Sequence, residues 1–199
     1  MNKAVFIDRD GVINPLVHYS DLGEYESPRR PEEFEIYPYI HTAMKRLKDA
    51  GFRLFVISNQ PSYAKGKMAW DDVKAIERLL DDMSLTHGKL IERFFYCYHH
   101  PQAVIPEYAV VCGCRKPGTL FPEQALLEYS LDAAECFFVG DQDSDILCGQ
   151  AMGFQTIKIS NPHSAHKSGK SKPDHHAKDL LDAASIICRK EEKPKWTNT

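Results

Sequence analysis

The chain has 199 residues, 43% hydrophobic and 11% aromatic, enough to fill a buried core, which excludes a disordered or fibrous polymer. Its 25 basic and 28 acidic side chains leave a net charge of −3, without the basic excess of a duplex-nucleic-acid binder. No apolar run approaches the roughly 18 residues that a membrane-spanning helix needs, and the one short apolar stretch before Asp8 is no secretory core, so a cytoplasmic protein is expected.

Ala4 to Ile7 reads as a buried strand. Residues 38–50 place Ile40, Met44 and Leu47 on one helical face, with Gly51 as the stop. Leu54 to Ile57 is a second strand. Residues 70–86 carry Trp70, Val73, Ile76, Leu79, Leu80 and Met83 at helical spacing. Ile91 to Tyr98 reads as a third strand, 120–130 as a helix and Cys136 to Val139 as a fourth strand. A helix over 144–152, a strand over 154–159 and a last helix over 176–188 complete the series. Residues 162–174 read as a polar loop, in which Lys167, Lys170 and Lys172 look like a solvated face. Strands and helices taking turns imply a parallel sheet with helices on both faces, a three-layer Rossmann-like α/β domain over 1–189. Residues 190–199 read as a charged tail.

Sheets of this kind bind ligands at the carboxyl ends of their strands. Three polar clusters fall there: Asp8-Arg9-Asp10, Ser58-Asn59-Gln60 and Asp141-Gln142-Asp143. Asp8 and Asp10 point the same way from an extended chain, so two carboxylates share one small space. That crowding is costly without a cation or a division of labour. Gly169-Lys170-Ser171 imitates part of a phosphate-cradling loop, but Ser164 stands where the loop needs its first glycine.

Asp8-Arg9-Asp10-Gly11-Val12-Ile13-Asn14 resembles the first motif of haloacid-dehalogenase-like phosphatases. Ser58 resembles the second, Lys116 the third and Gly140-Asp141-x-x-x-Asp145 the fourth, in order over residues 3–160. The resemblance implies Asp8 as nucleophile and Asp10 as general acid, then base. It implies Mg²⁺ on Asp8, the Asp10 carbonyl and Asp141, with Ser58 and Lys116 holding phosphoryl oxygens. Asn59 is expected to orient the loops, and Asp145 to brace a helix N-terminus. An acid two residues after the nucleophile favours phosphate esters over dehalogenation.

Six cysteines raise the question of disulfides, but a chain of this size without an export signal does not need them. Cys136, Cys148 and Cys188 read as buried thiols. Cys97-x-His99 and Cys112-x-Cys114 instead form a complete tetrahedral set for structural zinc. The residues alone leave His100 as an alternative to His99. Arg115-Lys116-Pro117 follows at once, so the metal would stiffen the backbone that presents two cations to the substrate.

The runs Cys-x-His-His-Pro and Cys-x-Cys-Arg-Lys-Pro resemble the heptose-bisphosphate and histidinol-phosphate phosphatase subgroup, which favours His99 and lacks a large cap domain. This implies a Mg-dependent phosphatase for a small phosphosugar, foremost the 7-phosphate of D-glycero-D-manno-heptose 1,7-bisphosphate, with Arg115 on the second phosphate. Histidinol phosphate or another sugar phosphate stays open. Pro61-Ser62, Gln142 and a longer loop over 15–35 depart from the heptose enzymes where the sugar would sit. Lys65 and Lys67 are candidates for phosphate contact, and Tyr19 and Tyr25 for the entrance. His18, His163, His166, His175 and His176 read as surface residues. The expected partner is the substrate alone, with a monomer acting on neither nucleic acid nor membrane. A nucleic-acid end-processing phosphatase and a zinc-braced binding domain are the readings from other classes.

Overall fold

The computed structural model describes residues 2–20, 22–167 and 169–191. All four residues of the first strand, Ala4–Ile7 (β1), are buried, the signature of a strand covered on both faces. The chain continues through Val17–Tyr19 (β2), Glu24–Glu26 (β3), Ile40–Asp49 (α1), Arg53–Asn59 (β4), Trp70–Thr86 (α2) and Arg93–Cys97 (β5). Leu120–Tyr129 (α3), Phe137–Gly140 (β6), Asp143–Ala151 (α4), Gln155–Ile159 (β7), His175–Ala177 (β8) and Leu180–Glu191 (α5) follow. Six strands form one parallel sheet in the order β5-β4-β1-β6-β7-β8. The expected α/β architecture is therefore present, with β1 where the strand order reverses.

Strand alternation splits the core into two layers. Val5, Ile7, Leu54, Val56, Val139 and Ile157 face α1, α2 and α5. Ala4, Phe6, Phe55, Ile57 and Phe138 face α3 and α4. In the second layer the Phe6 ring stacks on Phe154 at 4.9 Å and Phe55 at 5.2 Å. A Phe6→Ala change would open a cavity at the sheet's centre, a loss of about 3–5 kcal/mol.

Two elements differ from the sequence reading. The expected helix over 176–188 is a short edge strand, β8, followed by α5 running from Leu180. Three residues, two of them histidines, carry too little pattern to announce a strand. The loop over 15–35 contains an antiparallel hairpin, β2–β3, with Val17 opposite Glu26 and Tyr19 opposite Glu24. Its glutamates mask the alternation, because this hairpin packs its polar side toward a cavity. The polar loop over 162–174 opens with a 3₁₀ turn, Pro162–Lys167. Of the expected tail, Lys190 and Glu191 belong to α5, and 192–199 lie outside the described residues. No helix among the described residues is long and apolar enough to cross a membrane.

Candidate active site

The three polar clusters converge at the carboxyl ends of β1, β4 and β6. The backbone N–H of Asp8 still pairs with the Val139 carbonyl at 2.9 Å, so the first carboxylate is held by the sheet itself. The chain then turns at Gly11, whose φ of +86° suits glycine. A Cβ there would lie 2.2 Å from Asp141 Oδ2, so the close approach excludes any side chain.

Asp8, Asp141 and Asp145 bring one carboxylate oxygen each within 4.8 Å of one another, all buried. The buried ammonium of Lys116 lies 2.7 Å from Asp8 Oδ1 and 2.8 Å from Asp145 Oδ1. It also donates to the Ile57 carbonyl at 2.7 Å. Three carboxylates against one ammonium leave excess negative charge in a dry space. Burial, with Asp145 beside it, pushes the Asp8 carboxyl up to about 7 against the pull of Lys116. Burial and the charges of Asp8 and Asp145 push Asp141 up to about 8. The Lys116 ammonium, disfavoured by burial, is held above its ordinary value by Asp145 and Asp8. Asp141 Oδ1 is buried and without a hydrogen-bond partner. This donor set suits a hard divalent cation, which removes the charge excess and takes the free oxygen.

Asp10 is treated differently. Burial works against its charge, but Arg9, Asn14 and Gln60 hold the carboxyl below its ordinary value. Arg9 donates to Asp10 Oδ1 through Nη2 at 3.0 Å and is itself 2% exposed. One strand end thus carries a carboxylate pressed toward a cation and another saturated by donors.

The sulfur cluster has a different character. Cys97, His99, Cys112 and Cys114 offer ligand atoms within 4.8 Å of one another. Sulfur separations run from 3.2 Å for Cys114–Cys97 to 3.6 Å for Cys97–Cys112. Zn–S bonds of about 2.3 Å in a tetrahedron require roughly 3.7 Å, so the set fits a closed four-ligand ion after a small relaxation. His99 Nδ1 faces Cys114 Sγ at 3.4 Å, whereas His100 faces the cavity. All six cysteines are free thiols, with Cys136, Cys148 and Cys188 buried.

Asn59 ties this loop to the sheet. Its Oδ1 accepts from the Lys116 N–H at 3.0 Å, and its Nδ2 donates to the Lys116 carbonyl at 3.2 Å. Arg115 donates from Nη1 to the His99 carbonyl at 3.2 Å.

The HAD-hydrolase-like family model matches residues 113–183. A D-glycero-D-manno-heptose-1,7-bisphosphate 7-phosphatase of Chlorobaculum tepidum is 33% identical over 191 residues, covering 92% of each chain. A D-glycero-beta-D-manno-heptose-1,7-bisphosphate 7-phosphatase of Rhodopseudomonas palustris is 35% identical over 78% of this chain and 82% of its own. The chain belongs to the haloacid-dehalogenase-like phosphatases. Among solved structures, the D,D-heptose 1,7-bisphosphate phosphatase of B. bronchiseptica, complexed with magnesium and phosphate, shares the fold. Its TM-score is 0.76 at 23% identity, over 96% of this chain and 99% of that one.

In this phosphatase a cavity of about 300 Å³ is lined by Asp8, Asp10, Ser58, Asn59, Arg115 and Lys116. Asp141 stands beside it in the carboxylate cluster. Lys65, Lys67, His100 and Lys167 add cations or potential cations to its lining. Lys67 is paired with Glu26 at 2.6 Å, while among the described residues no carboxylate pairs with Lys65, Arg115 or Lys167. Lys167, Lys170 and Lys172 are exposed, as expected of a solvated face, and Lys167 also borders the cavity. Asp143 accepts from Lys158 Nζ at 2.7 Å, Lys170 N at 2.6 Å and Ser171 Oγ at 2.6 Å, which fastens the loop that carries Lys167. Gln60 and Ser27 also reach Asp10, and sequence patterning offered no sign of the second.

Proposed function

We propose that this phosphatase hydrolyses the 7-phosphate of D-glycero-D-manno-heptose 1,7-bisphosphate through an aspartyl-phosphate on Asp8. The observation that carries the reading is the division of one cavity. Asp8, Asp10 and Lys116 form one charged group in its lining, and Lys65, Arg115 and Lys167, whose charges act on one another and which no carboxylate among the described residues pairs, form another. A substrate with an anion at each end matches that division. Histidinol phosphate carries an ammonium away from its phosphate, which this group of cations would repel. The curated relatives support the heptose by name.

Asp8 Oδ attacks phosphorus, forming a P–O bond to the carboxylate as the P–O bond to the sugar breaks. The electron pair goes to the sugar oxygen, which takes a proton from Asp10, a carboxylate before substrate binds that picks the proton up as the anionic phosphate arrives beside it. Asp10, now a carboxylate, removes a proton from water. The water oxygen attacks phosphorus, and the bond to Asp8 breaks to free phosphate and restore the nucleophile. Lys116 holds the charge of Asp8 and, with Ser58, of the phosphoryl oxygens. Magnesium would be held by Asp8, the Asp10 carbonyl and Asp141, and supplies neutralisation of the phosphoryl charge. Zinc would be held by Cys97, His99, Cys112 and Cys114, a complete set of four ligands, and would brace the backbone of Arg115 and Lys116.

Phosphate release, with ³¹P NMR to identify the position cleaved, tests this across the heptose bisphosphate, heptose 7-phosphate, histidinol phosphate and hexose phosphates. The bisphosphate should give the highest kcat/KM, with loss of the 7-phosphate alone. Faster turnover of histidinol phosphate, or equal turnover of bis- and monophosphate, would refute the substrate assignment.

A further inference from the structure

The partners of Asp10 divide by what they are able to do. Oδ1 accepts from Arg9 Nε at 3.2 Å, Arg9 Nη2 at 3.0 Å and Asn14 Nδ2 at 3.0 Å. Oδ2 accepts from Arg9 Nη2 at 3.1 Å, Gln60 Nε2 at 2.5 Å and Ser27 Oγ at 3.0 Å. A guanidinium only donates. The Gln60 amide is fixed in its sense, because Oε1 accepts from Arg9 Nη2 at 2.7 Å and Nε2 also donates to Ser58 Oγ at 2.8 Å. Asn14 is fixed likewise, since its Nδ2 also donates to the Pro15 carbonyl at 2.9 Å. The Ser27 hydroxyl alone among these can turn from donor to acceptor.

Ser27 also stands apart in its origin. The other partners belong to the sheet's polar ends, whereas Ser27 closes the β2–β3 hairpin and lines the cavity. The hairpin is fastened close to it. Glu26 accepts from Lys67 Nζ and Arg29 Nη2, each at 2.6 Å. The Tyr19 hydroxyl donates to Glu33 Oε2 at 2.5 Å and accepts from the Arg29 N–H at 2.9 Å. The Tyr25 ring stacks on His163 at 3.8 Å.

We propose that Ser27 is a positioning residue for the phosphoryl transfer, its bond to Oδ2 aiming the Asp10 carboxyl at the leaving oxygen. The inference rests on the proposed role of Asp10 as the acid. The bond from Ser27 Oγ fixes where Oδ2 points, and it forms only with the hairpin seated, so substrate enclosure and the aim of the acid share one hydroxyl.

The experiment is single-turnover phosphoenzyme formation by rapid quench, with a sugar phosphate that the wild type turns over and with 4-nitrophenyl phosphate. The sugar oxygen needs a proton to leave and the nitrophenolate does not. Ser27→Ala should slow transfer from the sugar phosphate about 10- to 50-fold, a part of the roughly 10²–10⁴ that a general acid supplies. Its KM should stay within about twofold, and transfer from 4-nitrophenyl phosphate nearly unchanged. Ser27→Thr should restore most of the rate, while Ser27→Val, of the same shape but without the hydroxyl, should not. Equal losses on both substrates, no loss on either, or rescue by valine would overturn the proposal. Asp10→Asn separates the two levels. If it shows the same leaving-group selectivity and Ser27→Ala does not, only the role of Ser27 fails. If Asp10→Asn lacks it, the acid assignment fails and the proposal with it.

Discussion

The carboxylate cluster and the sulfur cluster meet through Lys116, two residues after Cys114, and they differ in what they leave unsatisfied. Asp8, Asp141 and Asp145 share one ammonium and keep a buried oxygen without a partner. Cys97, His99, Cys112 and Cys114 offer four ligand atoms and no fifth position. On the proposed reading the first cluster, costly at rest, takes up a cation and a phosphoryl group, the second is satisfied by one ion, and Asn59 with the Lys116 backbone links the two.

The sharpest break between the two is Asp8→Asn. Steady-state phosphate release should fall by about four orders of magnitude or more, since an essential nucleophile is lost. The zinc content, read by atomic emission, should not change. Cys114→Ser should do the reverse in kind. The protein should lose its thiolate-bound metal, and Tm should drop by roughly 5–15 °C, as expected when a structural ion worth a few kcal/mol is lost from a domain of this size. Turnover should fall with it, by about tenfold or more, and added magnesium should not restore it. Intact activity in protein verified to lack zinc would show that the two clusters are not linked.

Asn59→Ala probes the link itself. It removes both bonds to the Lys116 backbone while leaving every ligand in place. We expect kcat/KM to fall about 10- to 100-fold, the order of two buried hydrogen bonds, with both metals retained. A Tm loss without a rate loss would make Asn59 a packing residue only.

The smallest effect belongs to a site outside both clusters. Burial would raise the Asp174 carboxyl, but the Thr156 hydroxyl and N–H hold it below its ordinary value of 3.8. These bonds, at 2.7 and 2.8 Å, stitch the loop before β8 to β7. A lowered folded-state value means stability that is present above about pH 4 and lost as pH falls further. The Tm gap between wild type and Asp174→Asn should therefore be small and constant near neutrality and should close in acid. A gap that widens in acid would contradict the sign.

Much of this layout was legible in the sequence because it is local. Strands of four apolar residues followed by charged triplets mark the sheet and its ligand edge. Two close Cys/His pairs mark the sulfur cluster. Ser27, Lys167 and β8 were hidden for a shared reason. Each is placed by contacts distant in sequence: Ser27 by its bond to Asp10, Lys167 by the clasp of Asp143, and β8 by pairing with β7. None of the three carries a periodicity of its own. The choice between His99 and His100 was open on spacing alone, and chain direction after β5 decides it, sending one ring to the thiolates and the other to the cavity.

The proposed mechanism turns on the Asp8 carboxylate receiving the phosphoryl group. Rapid acid quench of enzyme turning over substrate labelled with ³²P at the 7-phosphate, followed by peptide mapping, tests it most directly. The label should appear on the peptide that contains Asp8, up to one equivalent per chain, and be released by hydroxylamine. Label on another peptide, or full turnover with no protein-bound label at any quench time, would contradict it.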